Sequence, residues 1–201
     1  MNGSFSLKTL DKLRFCLKNV ESTVNNMLLF AKGKEDRFES MAAIHFMKKL
    51  SGDLIHSFPQ VAIRVNVDQQ IDQATLQINY TSVLNSIKNL MLNAAQVSKQ
   101  PKVSIRASVC ELNFRLHIQD NGPGIPSELA DQVFDPFFST RKNGTGLGLA
   151  IVRSTIEAHQ GNVAVVDSDV GAAFVIDLPL GGAQTRIGEQ DFAELKNEVS
   201  V

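Results

Sequence analysis

This chain of 201 residues has few cysteines, no long hydrophobic run and no marked excess of either charge. Its two cysteines, Cys16 and Cys110, lie in separate predicted elements, so their spacing indicates neither a disulfide framework nor a metal cluster. A reducing, cytoplasmic environment is expected. No apolar run approaches the length of a membrane span, and the first residues do not resemble a signal peptide. A net charge of −1 predicts neither a nucleic-acid partner nor membrane contact.

The most regular pattern lies at the start of the chain. Apolar residues alternate at spacings of three and four over three heptads, which is typical of the contact seam of a helical bundle or coiled coil. We predict a helix over 6–32, one arm of a dimerising helical hairpin; a helix packed on the following domain is the alternative. The seam consists of Leu10, Leu13, Leu17, Val20, Val24, Met27 and Ala31.

From residue 38 onward, helical and alternating strand patterns follow one another. Helices are predicted over 41–57, 80–97 and 147–160, the last ended by Gly161. We expect a sheet, mainly antiparallel, with the helices packed on one face. Residues 181–201 are predicted to form a loose tail. The predicted strands cover 61–67, 74–78, 103–110, 113–119, 163–167 and 172–178.

Four short segments carry the candidate chemistry, and the first lies on the predicted helix 80–97. Asn85, Asn89 and Asn93 recur every four residues, so we expect them to share a face opposite the apolar stripe. Asparagine is a poor helix former, but its amide oxygen suits Mg²⁺, which takes few protein ligands when phosphates supply the rest. A solvated polar face is the alternative.

The second segment, residues 120–126 (DNGPGIP), directly follows an alternating strand. An aspartate at a strand end accepts hydrogen bonds, and the glycines let the backbone turn tightly against a flat ligand. An ordinary Gly/Pro turn is the alternative.

The third segment, residues 134–140 (FDPFFST), leads into Arg141 and Lys142. Aromatic residues in a proline-interrupted stretch favour a loop folded over something apolar, with cations placed to meet phosphate. A small hydrophobic cluster beneath a loop is the alternative.

The fourth segment, residues 144–150 (GTGLGLA), opens the predicted helix 147–160. Free backbone N–H groups at a helix start form a site for phosphate. A dinucleotide-binding motif would require glycine where Leu149 stands, and a P-loop would require a Gly-Lys-Ser/Thr sequence that is absent. Phosphate binding by another scheme is therefore predicted.

Together, the four segments resemble the N, G1, F and G2 boxes of the catalytic domain of sensor histidine kinases, in the family's order and with its ordinary spacing. The resemblance covers roughly residues 40–180. It implies the Bergerat ATP-binding fold: an α/β two-layer sandwich with a mixed sheet and helices on one face, preceded by a helix from a dimerisation hairpin. It also implies ATP and Mg²⁺ as cofactors, and a catalytic domain over 38–180.

The resemblance assigns a role to each box. Asn93 would bind Mg²⁺, Asn89 would support the phosphates, and Asp120 would bind the adenine amino group. Phe137 and Phe138 would anchor a mobile lid over the ATP, and glycines of the last box would hold phosphate. Arg141 or Lys142 of that lid would meet the γ-phosphate, although the family often has Lys where this chain has Arg141. The implied ATP-binding set is Asn89, Asn93, Asp120, Gly122, Gly124, Ile125, Phe137, Phe138, Arg141, Lys142, Gly144, Thr145, Gly146, Leu147 and Gly148.

Residues 1–33 resemble the second helix of the family's dimerisation and histidine-phosphotransfer hairpin. The first helix, which carries the phospho-acceptor histidine, is not found, so no catalytic residue is assigned and the chain alone is not expected to autophosphorylate. Expected partners are a second copy and a response regulator. Residues 28–33 (LLFAKG) resemble the nitrogen- and flagellar-regulation subgroup, which acts on enhancer-binding activators. The histidines interpreted as structural or surface residues are His45, His56, His117 and His159.

Other proteins with this fold compete as interpretations. ATPases of the gyrase and chaperone type, and serine kinases that regulate sigma factors, resemble one another in a glutamate one turn before the metal-binding asparagine. Here that position is Asn89, whose amide cannot act as a general base. Transfer to an already nucleophilic imidazole is favoured, and a nucleotide sensor without transfer is the remaining alternative.

Overall fold

The computed structural model of the chain describes residues 37–141 and 144–181. The predicted helix over 6–32, Lys142 and the tail after residue 181 lie outside these ranges and stay predictions. Among the described residues, no helix is both long and apolar enough to cross a membrane.

Strands and helices alternate along the described part of the chain. Short 3₁₀ turns lie at Gln69–Gln73, Ser127–Leu129 and Gln132–Phe134. The longer elements are β1 (Glu39–Ala42), α1 (Ala43–Ser57), β2 (Ala62–Val67), β3 (Thr75–Ile78), α2 (Tyr80–Val97), β4 (Lys102–Cys110), β5 (Asn113–Asp120), α3 (Gly148–Ala158), β6 (Asn162–Val166) and β7 (Ala173–Pro179).

The main sheet has five strands in the order β2-β4-β5-β7-β6. Strand β2 runs parallel to β4, and the other neighbours are antiparallel. Strands β1 and β3 form a separate antiparallel pair. The predicted mixed sheet is thus confirmed, with β5, the strand that ends in Asp120, at its centre.

One face of the sheet carries the helices and the core. On β5, Phe114, Leu116 and Ile118 are buried among the helices, whereas the alternate residues point to the opposite face. Helix α2 buries Val83 and Ile87 in the same core. Each such side chain contributes about 1.5–3 kcal/mol relative to an exposed one. The predicted two-layer sandwich is confirmed.

The opposite face of the sheet is polar over its centre. Arg115 on β5 stands directly across from Asp177 on β7, and its guanidinium donates two hydrogen bonds, of 2.8 and 3.0 Å, to that carboxylate. Asp177 is 2% exposed, so this bidentate pair satisfies a buried charge. Next to it, burial, and then the charges of Arg106 and Arg115, lower the pKa of His117.

Two predicted helix boundaries are wrong by two residues each. Residues 41 and 42 belong to β1 rather than to the first helix, because pairing with β3 holds them extended. The helix predicted over 147–160 ends at Ala158, and Gln160 rather than Gly161 turns the backbone, with φ of 58°. Gly161 is required instead by packing, since a methyl group there would collide with the carbonyl oxygen of Asp177.

Candidate functional site

Asp120, at the end of β5, is fixed through one of its two carboxylate oxygens. Its Oδ1 accepts hydrogen bonds from the backbone N–H of Gly122, at 2.7 Å, and of Ala172, at 3.0 Å. The Asp120 N–H in turn donates to the carbonyl of Ala172 at 3.0 Å. Within 37–141 and 144–181, the second oxygen, Oδ2, has no hydrogen-bond donor. The aspartate is therefore oriented by the backbone and keeps one oxygen available.

Glycines around Asp120 permit this close packing. A methyl group on Gly122 would stand 2.5 Å from Cγ2 of Val97, and one on Gly171 would collide with the carbonyl oxygen of Asp120. Gly171 also has φ of +72°, which favours glycine. The sequence does not indicate the part played by Gly171 and Ala172, because this region shows only two predicted strands, 163–167 and 172–178, with a short connection between them. Their position becomes visible once β5 and β7 are paired.

The Asp120 carboxylate borders an apolar pocket. The enclosed space is only about 10 Å³, so a ring bound here would lie against the pocket mouth rather than within it. A hydrogen-bond acceptor at the edge of an apolar surface suits a flat heterocycle that carries an amino group. The other lining residues are Leu90, Met91, Ala94, Val103, Ile118, Ala172 and Phe174.

Gly124 and Ile125 line a second, larger cleft. It has a volume of about 460 Å³ and lies between the loop after β5 and the turn from β6 to β7. Ala172 lines both cavities, so this cleft adjoins the smaller pocket that Asp120 borders.

Asn89 lies beneath the start of α3. The side chain of Asn89 is near enough that a methyl group on Gly148 would stand 3.9 Å from it, and Asn89 is only 9% exposed. The expectation that the three asparagines share a face opposite the apolar stripe is wrong for Asn89, which the packing of α3 on α2 buries. Leu147, the N-cap of α3, offers no side-chain acceptor to the first N–H groups of that helix. Asn89 is thereby brought near the first N–H groups of α3, which have no side-chain cap among the described residues.

In the loop before α3, Phe137 makes its contact through the backbone rather than through its ring. Phe137 has φ of 68°, and its N–H donates to the carbonyl of Gly146 at 3.0 Å, while its side chain is 73% exposed. Gly146 also has a positive φ, of 67°, and a methyl group there would collide with the Phe137 backbone. Phe138 is half-buried.

The buried aromatic residue of this segment is Phe134, which the sequence analysis did not single out. Its ring meets Phe174 edge-on at 6.4 Å, and the guanidinium of Arg153 lies 4.4 Å from its centre. Phe134 opened the third segment, so its position was visible in the sequence although its burial was not.

The first two residues of the last box lie at the surface. Gly144 and Thr145 are exposed, and the Thr145 hydroxyl accepts a hydrogen bond from the Leu147 N–H at 3.4 Å. These residues lead the backbone into α3.

Arg141 reaches the last turns of α2. Its Nη1 donates to Oε1 of Gln96 at 2.7 Å and approaches Oδ1 of Asn93 at 3.4 Å, while its Nη2 donates to the Asn93 carbonyl at 3.3 Å. Two predicted site residues, Arg141 and Asn93, are therefore in contact. Gln96 was not predicted, since nothing in its spacing marks it.

Residues 78–182 match the sequence model of the family described as "Histidine kinase-, DNA gyrase B-, and HSP90-like ATPase". This span takes in all four segments identified above.

Among curated proteins, the chain is similar to the signal transduction histidine-protein kinase AtoS of Escherichia coli, with 30% identity over 183 residues. That alignment covers 86% of this chain and 30% of AtoS. It is also similar to the sensory histidine kinase/phosphatase NtrB of Vibrio alginolyticus, with 31% identity over 68% of this chain and 43% of NtrB. The chain therefore spans less than half the length of these relatives.

Among solved structures, the catalytic domain of histidine kinase ThkA superposes with a TM-score of 0.61 and 25% identity, over 71% of this chain and 95% of that domain. ThkA in complex with the response regulator protein TrrA superposes with a TM-score of 0.73 over 89% of this chain and 53% of that chain. At 21% identity, the second likeness shows the fold alone.

Proposed function

Because the chain belongs to the histidine kinase-, DNA gyrase B- and HSP90-like ATPase family, as a catalytic domain of the histidine kinase type, we propose that it binds Mg²⁺·ATP and transfers the γ-phosphoryl group to a histidine on a segment outside this sequence. From that histidine the group would pass to an aspartate of a response regulator. The domain would span 38–180, preceded by a dimerisation helix within 1–33 and followed by a flexible tail.

The observation that carries the proposal is the arrangement around Asp120. Two backbone N–H groups fix Oδ1, and Oδ2 stays open beside an apolar pocket. A carboxylate held in this way accepts the adenine amino group at a defined angle, while the ring lies against apolar side chains. Gly122 packs against Val97 beside Asp120, and Gly124 and Ile125, which line the neighbouring cleft, would approach the ring from that side.

Asn93 fits the role of the metal ligand. Its Oδ1 lies 3.4 Å from the guanidinium of Arg141, so this oxygen already faces a position that a cation occupies. Mg²⁺ prefers such neutral oxygen ligands when phosphate oxygens supply most of its coordination. When bound, the ion would neutralise charge on the phosphates.

The phosphates would lie at the start of α3. Its first N–H groups have no side-chain cap, and a helix N-terminus favours anions. Gly144, Thr145, Gly146, Leu147 and Gly148 would form this site. Asn89 would support the phosphates from α2. From the preceding loop, Arg141 or Lys142 would meet the γ-phosphate. Phe137, through its backbone hydrogen bond to Gly146, and the half-buried Phe138 would anchor that loop.

The acceptor chemistry follows from what Asn89 is unable to do. An amide accepts no proton at neutral pH, so Asn89 cannot activate water or a serine hydroxyl. A neutral imidazole nitrogen needs no such base. It would attack the γ-phosphorus in line, forming an N–P bond as the bond to the ADP oxygen breaks. This favours histidine as acceptor over the serine of sigma-factor regulation.

The proposed partners are a second copy of the chain and a response regulator. The seam over 10–31 supports a homodimer through a helical hairpin. The complex of ThkA with TrrA and the similarity to NtrB support a response regulator, which we propose to be an enhancer-binding activator. We further propose that these interactions take place in the cytoplasm.

The test is phosphoryl transfer by a longer protein that includes an upstream histidine-bearing helix. This protein is incubated with γ-labelled ATP and Mg²⁺, and the labelled product is exposed to acid and to base. Label that is lost in acid and kept in base identifies phosphohistidine, the expected result. Acid-stable label would replace the proposal with a serine or threonine kinase, and tight ATP binding without label would replace it with a nucleotide sensor.

A further inference from the structure

We infer that Gln96 is a positioning residue that sets the Mg²⁺ affinity of the site by holding the Arg141 guanidinium against Asn93. This inference rests on the proposed function, because it takes Asn93 as the metal ligand. Gln96 is exposed on α2, one turn beyond Asn93.

The contact with Gln96 is the shortest of the three that Arg141 makes to α2. Nη1 lies 2.7 Å from Oε1 of Gln96, compared with 3.4 Å from Oδ1 of Asn93, and Nη2 lies 3.3 Å from the Asn93 carbonyl. Helix α2 ends at Val97, and the partial negative charge of a helix C-terminus attracts a guanidinium to this turn. Gln96 thus supplies the well-formed hydrogen bond, which brings the cation next to Asn93.

Arg141 and Mg²⁺ compete for the same amide oxygen. Mg²⁺ binds oxygen at about 2.1 Å. A guanidinium 3.4 Å from Asn93 Oδ1 would repel an ion so close to that oxygen. Metal binding therefore requires Arg141 to leave, and leaving breaks the hydrogen bond to Gln96. Once released, Arg141 is free to meet a phosphate.

Titration of Mg²⁺ at a fixed concentration of ADP measures this competition. ADP is the right probe because it lacks the γ-phosphate that Arg141 is proposed to meet. In Gln96→Ala, we expect the apparent Mg²⁺ dissociation constant to fall about threefold, since an exposed hydrogen bond to a charged group is worth a factor of this size. Arg141→Gln should shift the constant in the same direction.

A double variant separates positioning from a direct effect of Gln96 on the metal. If Gln96 acts through Arg141, adding Gln96→Ala to Arg141→Gln changes nothing further. Gln77→Ala is the matched control, because Gln77 is exposed on β3 and its side chain makes no hydrogen bond to the rest of the described chain. Its Mg²⁺ dissociation constant and its melting temperature should match those of the wild type.

The inference is overturned if Gln96→Ala leaves Mg²⁺ affinity unchanged or weakens it, or if its effect persists in the Arg141→Gln background. Failure of the proposed function looks different. In that case the wild-type chain itself either does not bind ADP or binds it without any dependence on Mg²⁺.

Discussion

At the nucleobase end of the proposed site, Asp120 is fixed by backbone N–H groups from two loops, whereas at the phosphate end Arg141 reaches α2 from an exposed loop through side-chain contacts. The first arrangement belongs to the sheet, because Asp120 ends β5 and Ala172 immediately precedes β7. The second depends on long, exposed side chains.

The two ends therefore differ in how much it costs to rearrange them. Moving Asp120 would break backbone hydrogen bonds in a packed region and expose the pocket behind it. Moving Arg141 breaks exposed contacts that are worth about 0–1 kcal/mol. We infer that the nucleobase end is preformed and gives specificity for the base. At the phosphate end, Arg141 can exchange its contacts on α2 for a phosphate when the metal binds.

The largest expected effect is that of Asp120→Asn on the nucleobase end. The amide oxygen still accepts from Gly122 and Ala172, so the fold should be kept, but an N–H₂ group now faces the adenine amino group. We expect ADP affinity to fall on the order of 100-fold, because a charge-assisted hydrogen bond is lost and two N–H donors then face each other. Calorimetric titration measures the affinity, and thermal denaturation checks the fold.

Asp167→Asn is the matched control for this substitution, since Asp167 is an exposed carboxylate beside the larger cleft. It should bind ADP as the wild type does. Retained affinity in Asp120→Asn would show that the adenine assignment is wrong.

The next largest effect tests whether the nucleobase end is rigid. In Gly171→Ala, the new methyl group meets the Asp120 carbonyl and the backbone must keep φ near +72°. We expect a loss of about 2 kcal/mol in the free energy of unfolding. Urea denaturation measures it.

Gly52→Ala, the same substitution at another site, should change the free energy of unfolding in the opposite direction. Gly52 lies within α1 with nothing near its added methyl group, so alanine should stabilise the protein by about 0.5–1 kcal/mol. Equal effects at the two glycines would contradict the account of a tightly packed nucleobase end.

The third prediction concerns the metal at the phosphate end. Asn93→Ala removes the proposed ligand, so the increase in ADP affinity that Mg²⁺ causes should disappear, while affinity without metal changes little. Asn85→Ala, on the same helix two turns earlier, should keep the metal dependence. An unchanged response to Mg²⁺ in Asn93→Ala would place the ligand elsewhere.

The smallest effect is expected for His117, which lies three residues before Asp120 on the face of the sheet opposite the helices. Burial beside two arginines lowers the pKa of His117, so the folded state takes up a proton less readily than the unfolded state. Stability is therefore lost as pH falls below about 6.5, the ordinary value, towards the lowered one. His117→Gln should lose less stability than the wild type between pH 7.5 and 5 in urea denaturation.

Replacement of the exposed His45 by Gln is the control and should follow the wild-type pH dependence. ADP affinity at pH 7.5 should be the same in all three proteins. A weaker ADP affinity in His117→Gln would mean that nucleotide binding at Asp120 depends on the face of the sheet opposite the helices.

Elements with a strong repeating pattern were predicted closely from the sequence. Helix α2 has the predicted bounds, and β4 and β5 differ from prediction by one residue at one end each. Strand β1 was missed because its four residues become extended only through pairing with β3, which lies more than thirty positions further along the chain. Apolar periodicity carries no record of such a distant partner.

The candidate site was predicted unevenly for a similar reason. Residue types and local turns indicated Asp120, Gly122, Gly146 and the uncapped start of α3. Gly171 and Gln96 carry no local signal, since each matters only through a residue at least 45 positions away. Three phenylalanines lie close together in this stretch, and the sequence does not show that the ring of Phe134 is buried while that of Phe137 is exposed.

The sequence by itself determined the kind of protein this is, because four ordered motifs combine an amide, a carboxylate and glycines whose chemistry suits a nucleotide and its metal. The tertiary structure alone decided which oxygen of Asp120 is available, which asparagine is buried and which side chain holds Arg141. Those outcomes depend on contacts between segments distant along the chain. Such contacts form only when the sheet brings the segments together.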